Sequence, residues 1–114
     1  MNILAVLTEL LSDIAPVETG VFSDEAPAEY IVITPLTDTF ELFGDNRPGV
    51  ETQEARLSLF SQTNYISLQH RIVAALFAMD FTITEHRYIG REDDSGYFHY
   101  VIDVSKYYLT EGLL

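Results

Sequence analysis

Residues 51–60 alternate apolar and polar side chains, the pattern of a β-strand with one buried face. Two sets alternate along this segment, the apolar Ala55, Leu57 and Leu59 and the polar Glu54, Arg56 and Ser58. Such a strand requires a second layer over its apolar face, while its polar face can contact solvent. Residues 65–79 can supply that layer, because their apolar positions have helical spacing and Thr63 or Asn64 can cap the helix.

Another helix is predicted at the N-terminus, over residues 2–14. Its apolar residues follow one another alternately three positions and one position apart, as on one face of a helix. They are Ile3, Val6, Leu7, Leu10, Leu11 and Ile14. Ala15 precedes Pro16, and a residue before proline avoids the helical backbone conformation, so we expect the helix to end there.

The other segments are rich in β-branched and aromatic residues or in turn formers. We predict a short segment at 17–22, a polar turn at 23–27, and a strand at 30–36 that continues in extended conformation through 43. A loop follows at 44–49, and strands 81–91 and 97–108 form a closing hairpin. Strands separated by one helix are typical of an α+β fold. The prediction is one domain, residues 1–114, with an antiparallel or mixed β-sheet on which the N-terminal and central helices pack.

The charge of the chain excludes several classes of partner. It carries 18 Asp and Glu against 6 Lys and Arg, a formal net charge of −12, and residues 1–46 contain no base. Binding to DNA, RNA or an anionic membrane needs a basic surface, which this composition does not offer. The first residues also lack the basic start of a secretory signal, and no apolar run is long enough to cross a membrane. We therefore expect synthesis in the cytoplasm.

Few residues suggest catalysis. The chain has no Cys, which excludes disulfides, thiolate metal sites and Cys nucleophiles. If Glu92 pairs with Tyr97 in the closing hairpin, His86 falls opposite Asp103, a pairing that is usually a surface contact. A small enzyme built on His86 and Asp103, with Ser105 as nucleophile, remains an alternative.

No metal or cofactor site is predicted either. The acidic residues 92–94 lack the alternating oxygen ligands and the closing Glu of an EF-hand, so they are interpreted as a solvated turn. Neither Gly44 nor Gly90 stands in a phosphate-binding pattern. The prediction is no catalytic residue, no metal and no cofactor.

Large apolar residues flank the loop at 44–49, beyond what one small core needs. We predict a subunit or partner interface there, formed by Phe40, Leu42, Phe43, Arg47 and Val50. The alternative is that these residues pack back on the N-terminal helix. Acidic residues of the first 46 positions form a second candidate surface, comprising Asp24, Glu25, Glu29, Asp38, Glu41 and Asp45.

Four segments give the chain a family resemblance: NILAVLTELLSDI, EAPAEYIVITPL, ETQEARLSLFSQTNYISLQHRIVAAL and FTITEHRYIGREDDSGYFHYVIDVSKYY. In the order and the amino-acid sequence of these segments, the chain resembles the tail-completion or tail-terminator family of small virion proteins from long-tailed bacteriophages. The resemblance implies an α+β domain that assembles into a ring, commonly six-fold. Such a ring caps the tail tube and offers a surface to the head connector. The resemblance carries no active site.

From this resemblance we expect a structural protein of the virion tail whose partners are itself, the tail-tube protein and the head–tail connector protein. DNA would pass through the ring without being specifically bound, and no membrane would be involved. Six copies at −12 each would carry −72, so we expect the acidic residues to line or rim the channel or to face water. The alternatives are a connector-side adaptor of the same virion and an acidic regulatory module that mimics nucleic acid.

Overall fold

The computed structural model describes residues 2–19, 27–43 and 47–109 of the chain. In these residues two helices and five strands follow one another as α1, β1, β2, β3, α2, β4 and β5. Their bounds are α1 Ile3–Leu11, β1 Val17–Thr19, β2 Glu29–Phe43, β3 Arg47–Ser61, α2 Tyr65–Ala78, β4 Thr82–Arg91 and β5 Phe98–Leu109. This order confirms the predicted alternation of helix, strands, helix and closing hairpin.

The five strands form one mixed sheet in the order β1-β2-β3-β5-β4. β1 pairs parallel with β2, and all other neighbours are antiparallel. β3 is central, with Leu57 opposite Ile33 of β2 and Ile102 of β5. The predicted α+β fold is confirmed.

Both helices cover the same face of the sheet. Each helix contributes an apolar stripe, Ile3, Leu7 and Leu11 from α1 and Leu68, Ile72 and Leu76 from α2. The sheet contributes the alternate side chains Ile31, Ile33, Ala55, Leu57, Leu59, Ile102 and Val104. Burial of this apolar surface is the main contribution to the stability of the domain. The opposite side is called the open face below, because neither described helix lies on it.

Local hydrogen bonds set where the helices begin and end. Asn2 caps α1 by accepting a bond from the Leu4 amide at 2.8 Å, and Asn64 caps α2 through the Ser67 amide at 3.2 Å. α1 ends at Leu11, three residues before the predicted end. The chain tightens into a turn there because it must leave the helix before Pro16, whose carbonyl accepts the Ile31 amide beside β1.

The end of α2 is a Schellman turn without glycine. The Phe81 amide donates to the Leu76 carbonyl at 3.0 Å, and the Asp80 amide donates to Phe77 at 3.2 Å. Asp80 has a φ of 60°, the left-handed conformation that glycine adopts most easily. Aspartate tolerates this conformation better than most residues, but at a cost in stability.

The β2–β3 hairpin continues past the helices. The Ile3 amide donates to Gln53 Oε1 at 2.7 Å, which places the start of α1 at the level of Gln53. From there α1 runs towards the Ile31 end of β2, away from the hairpin loop. Residues 39–43 and 47–52 pair beyond this level and are called the ribbon. The molecule accordingly measures 54 × 26 × 23 Å.

Candidate assembly surface

The ribbon leaves main-chain groups available for pairing. β1 pairs with β2 only at Ile31–Ile33, so within the described chain the outer edge of β2 has no strand beside it from residue 34 to 43. On the other side of the ribbon, β5 accompanies β3 as far as Val50. An extended strand edge of this kind is a template for pairing with another chain.

The predicted interface residues all belong to this hairpin. Phe40, Leu42, Phe43 and Arg47 lie on its strands, and their side chains are outside what the structure describes. Val50 is half-buried and lies opposite Glu41 of β2 and Leu109 of β5. α1 starts at the level of Gln53, so its course leads away from the ribbon and does not favour packing of the ribbon on this helix. The interface itself stays a prediction.

The predicted acidic surface is only partly within the described chain. Asp24, Glu25 and Asp45 lie outside the described residues, and so does the side chain of Glu41. Asp38 is exposed on β2. Glu29 is half-buried, with Oε1 3.3 Å from an Arg71 guanidinium nitrogen, so its charge is partly balanced within the subunit. Asp38 is therefore the acid of this set that the structure places in solvent.

Four rings cluster on the open face at the base of β2, β3 and β5. Phe60 stacks between Tyr30 and His99, with ring centroids 4.7 and 4.3 Å away. Tyr97 meets Tyr30 edge-on and donates its hydroxyl to the Pro27 carbonyl at 2.5 Å. Such ring pairs stabilise a sheet beyond the area they bury. They also give the open face an apolar, rigid end.

The environment of His99 favours its neutral form. Burial is the main cause that lowers the pKa of His99; Glu92 opposes this shift and Arg56 adds to it. Its Nε2 atom is buried, and no hydrogen-bond partner for it is found among the described residues. A neutral imidazole stacked on Phe60 therefore acts as part of the aromatic cluster rather than as a charge.

An ion pair lies at the middle of the open face. Arg56 of β3 donates through Nε and a terminal nitrogen to the two Asp103 carboxylate oxygens, at 2.8 and 3.0 Å. The bidentate hydrogen bond and the Asp103 charge raise the pKa of Arg56. Asp103 is nearly buried, with a side chain 9% exposed against 35% for Arg56. Because its carboxylate is occupied, Asp103 is not available to orient a histidine.

The predicted pairing of His86 with Asp103 is wrong. Glu92 does pair with Tyr97, but a bulge between Tyr88 and Gly90 shifts β4 by one residue, and His86 lies opposite Ile102. A one-residue slip moves a side chain to the other face of the sheet. His86 consequently points to the helix side, where its Nδ1 is 2.9 Å from the Tyr100 hydroxyl.

β4 forms one edge of the sheet and borders an apolar groove. In the part of the chain that the structure describes, β5 is its neighbour on one side and no strand pairs with the other. The groove between α2 and β4 has a volume of about 550 Å³ and is lined mainly by Val73, Phe77, Phe81 and Ile83. Phe77 is 61% exposed although it belongs to α2. This groove was not anticipated from the sequence.

Comparisons and composition add no second kind of site. The chain matches neither a protein-family model nor a curated protein. Across residues 2–19, 27–43 and 47–109, no three His, Asp or Glu side chains come together as a metal site. Neither helix of the described chain is long and apolar enough to cross a membrane.

Several of the contacts that shape these surfaces were not predicted from the sequence. Arg56 and Asp103 are 47 positions apart, so their pairing required the register of β3 against β5. The stack of Tyr30, Phe60 and His99 required the same information. The exposed Phe77 had a usable signal, because it lies one position beyond the stripe of Leu68, Ile72 and Leu76.

Proposed function

We propose that the protein is a structural virion protein that caps the tail tube of a long-tailed bacteriophage and joins it to the head connector, as a ring of its own copies. The parts of this proposal that concern the tail tube and the head connector rest on the sequence resemblance. The geometry supports the part of the proposal that concerns assembly. A tail-terminating ring needs a small rigid domain with surfaces left over for its neighbours.

The ribbon is the observation that carries this proposal. A monomeric domain gains nothing from extending two strands past its own core, because an uncovered edge promotes unwanted pairing. Among the described residues, no strand pairs with the outer edge of β2 over residues 34–43, a segment whose sequence includes Phe40, Leu42 and Phe43. Covering this segment with another subunit removes the exposed edge.

The acidity of the chain is compatible with a ring around DNA. A net charge of −12 per copy disfavours adhesion of the phosphate backbone, since binding requires cations that neutralise phosphates. In a ring the acids of the first 46 residues, Asp38 among them, would face the channel, its rim or bulk water. DNA would then pass without being held.

Ring formation on tails is tested with purified protein and the tail-tube protein of the same phage. Size-exclusion chromatography with light scattering measures the mass of the protein alone, and electron microscopy measures tube length with and without it. We expect a ring at the end of each tube and an arrest of tube growth. Tubes that grow to the same length without a bound ring would contradict the proposal.

Adding the connector protein, or DNA together with a basic protein, to this experiment separates the alternatives. A connector-side adaptor would bind the connector protein and leave tube length unchanged. An acidic mimic of nucleic acid would remain a monomer or dimer and compete with DNA for a basic protein. Both results would replace the proposed function.

A further inference from the structure

We infer that two copies of this chain associate through opposite edges of the sheet, the outer edge of β4 on one copy pairing with residues 34–43 of β2 on the next. This interface rests on the proposed ring, and it specifies which surfaces of the subunit meet. Edge pairing between different surfaces is a head-to-tail contact, and such contacts produce rings when the rotation closes.

The first observation is that the two edges are similar in length and that, in the described residues, no strand pairs with either of them. β4 has ten residues, and eight of them are exposed. The uncovered part of β2 is also ten residues long, from 34 to 43. Tyr88 and Ile89 of β4 are 46% and 47% exposed, which is high for large apolar residues of a strand. A strand added beside β4 would cover both.

The second observation is that charge changes sign across the sheet. The pairing segment of β2, residues 34–43, contains two acids, Asp38 and Glu41, and no base. β4 contains one acid, Glu85, and two bases, Arg87 and Arg91, which makes it net +1 in a chain of net −12. β3 and β5 are each neutral overall when histidine is uncharged. Opposite charge favours β4 against β2 and disfavours β2 against β2.

The third observation is that the α2–β4 groove lies directly beside the β4 edge. In strand addition the main chain supplies affinity, while pockets for alternate side chains supply selectivity. The groove offers Val73, Phe77 and Ile83 as such a pocket. The incoming strand carries the apolar residues Phe40 and Leu42 at alternate positions.

Two bulges in β4 restrict which strand can pair. They interrupt the ladder between Ile83 and Glu85 and between Tyr88 and Gly90, so residues 85–88 form the regular central run. Bulged edges resist indiscriminate pairing. A selective contact therefore needs the groove and the charges as well as the main chain.

Cross-linking tests this interface cleanly because the chain has no cysteine. Ile89→Cys on β4 and Thr39→Cys on β2 are prepared as separate proteins and treated with a short bismaleimide, alone and mixed. We expect cross-linked pairs only in the mixture. Asp13→Cys, at an exposed position after α1, replaces Thr39→Cys in the control mixture and should give no product.

A second measurement uses the groove. Phe77→Asp should weaken self-association at least about tenfold, since it puts a charge where apolar side chains are expected to be buried. Ala74→Asp is the matched control, an exposed position of α2 outside the groove. It should leave association unchanged, and circular dichroism should show both variants folded.

The outcomes separate this interface from the proposed function. If wild-type protein forms rings but the mixture gives no cross-link, the interface is wrong and the ring stands. Cross-links with Ile89→Cys alone would indicate β4 against β4, and would also overturn it. If wild-type protein does not assemble alone or on tail tubes, the proposed function and the interface both fail.

Discussion

The two faces of the sheet come from the same strands but differ in chemistry. Towards the helices, β3 and β5 present aliphatic side chains such as Leu57 and Ile102, which are completely buried. On the open face the same strands present Arg56, Asp103 and the ring of Phe60, held by directional contacts. Apolar burial dominates stability, so the fold depends mainly on the helix side.

This difference teaches that part of the open face is buried although neither described helix covers it. Val101 lies on it and is only 2% exposed, although neither described helix reaches it. The stacked rings and the Arg56–Asp103 pair therefore shield part of the sheet from water within one subunit.

The largest effect on stability is expected when side-chain volume is removed from the helix face of the sheet. Leu57→Ala should lower the free energy of unfolding by about 2–5 kcal/mol, because it leaves a cavity among fully buried side chains. Ser58→Ala, the next residue on the open face, should change it by less than about 0.5 kcal/mol. Chemical denaturation of both variants measures the difference. Equal effects would mean that the two faces contribute alike.

Breaking the central ion pair is the next largest test. Asp103→Asn should cost about 1–2 kcal/mol in the free energy of unfolding, because it weakens two charge-assisted bonds at a nearly buried site. Glu85→Gln is the matched control. Its pair with Arg87, at 3.4 Å, is about half exposed on both sides and should contribute no more than about 0.5 kcal/mol. If Asp103→Asn left the free energy of unfolding unchanged, the pair would contribute no more than a surface contact does.

A gain of stability is expected at the end of α2. Asp80→Gly should raise the free energy of unfolding by about 0.5–1 kcal/mol, because glycine relieves the left-handed strain at a modest cost in chain entropy. Ala74→Gly, at an exposed position inside α2, should lower it by about 1 kcal/mol. Thermal unfolding of the pair compares them. Destabilisation by Asp80→Gly would show that its side chain does more than occupy the turn.

The smallest expected effect is a pH dependence that arises on the open face. The folded state lowers the pKa of His99 mainly by burial, so the unfolded state binds a proton first as the pH falls. The contribution of His99 to stability is complete above its unfolded pKa of about 6.5, and it is lost as the pH falls through the lower pKa of the folded state. His99→Gln should flatten this decline between pH 7.5 and 5. His70→Gln, at an exposed site on α2, is the control.

The fold could be predicted to the extent that its signals are local. The alternation at 51–60 and the apolar spacing at 65–79 each span a few residues, and they placed β3 and α2 within a few positions. The same kind of signal limits the N-cap of α2 to Thr63 or Asn64, and Asn64 is the residue that caps the helix. Helix and strand periodicity depends on the sequence alone, so it survives without knowledge of tertiary contacts.

The surfaces could not be predicted because they depend on register. One extra residue at the Tyr88–Gly90 bulge separates His86 from Asp103. Gly90 is a signal for a bulge, but a single glycine in a strand does not fix the register. Apolar spacing likewise indicated Ile66 and Phe77 together with the core of α2, yet both are at least half exposed. Periodicity shows which positions of a helix are apolar, while the neighbouring layers decide which of them are covered.

Assembly of the protein into a ring is tested most directly by the mass of the wild-type protein. Light scattering coupled to size-exclusion chromatography gives this mass alone and after addition of tail-tube protein. The prediction is the mass of a closed ring, commonly of six subunits, in free solution or bound at the tube end. A monomer under both conditions, at concentrations that saturate the tubes, would contradict it.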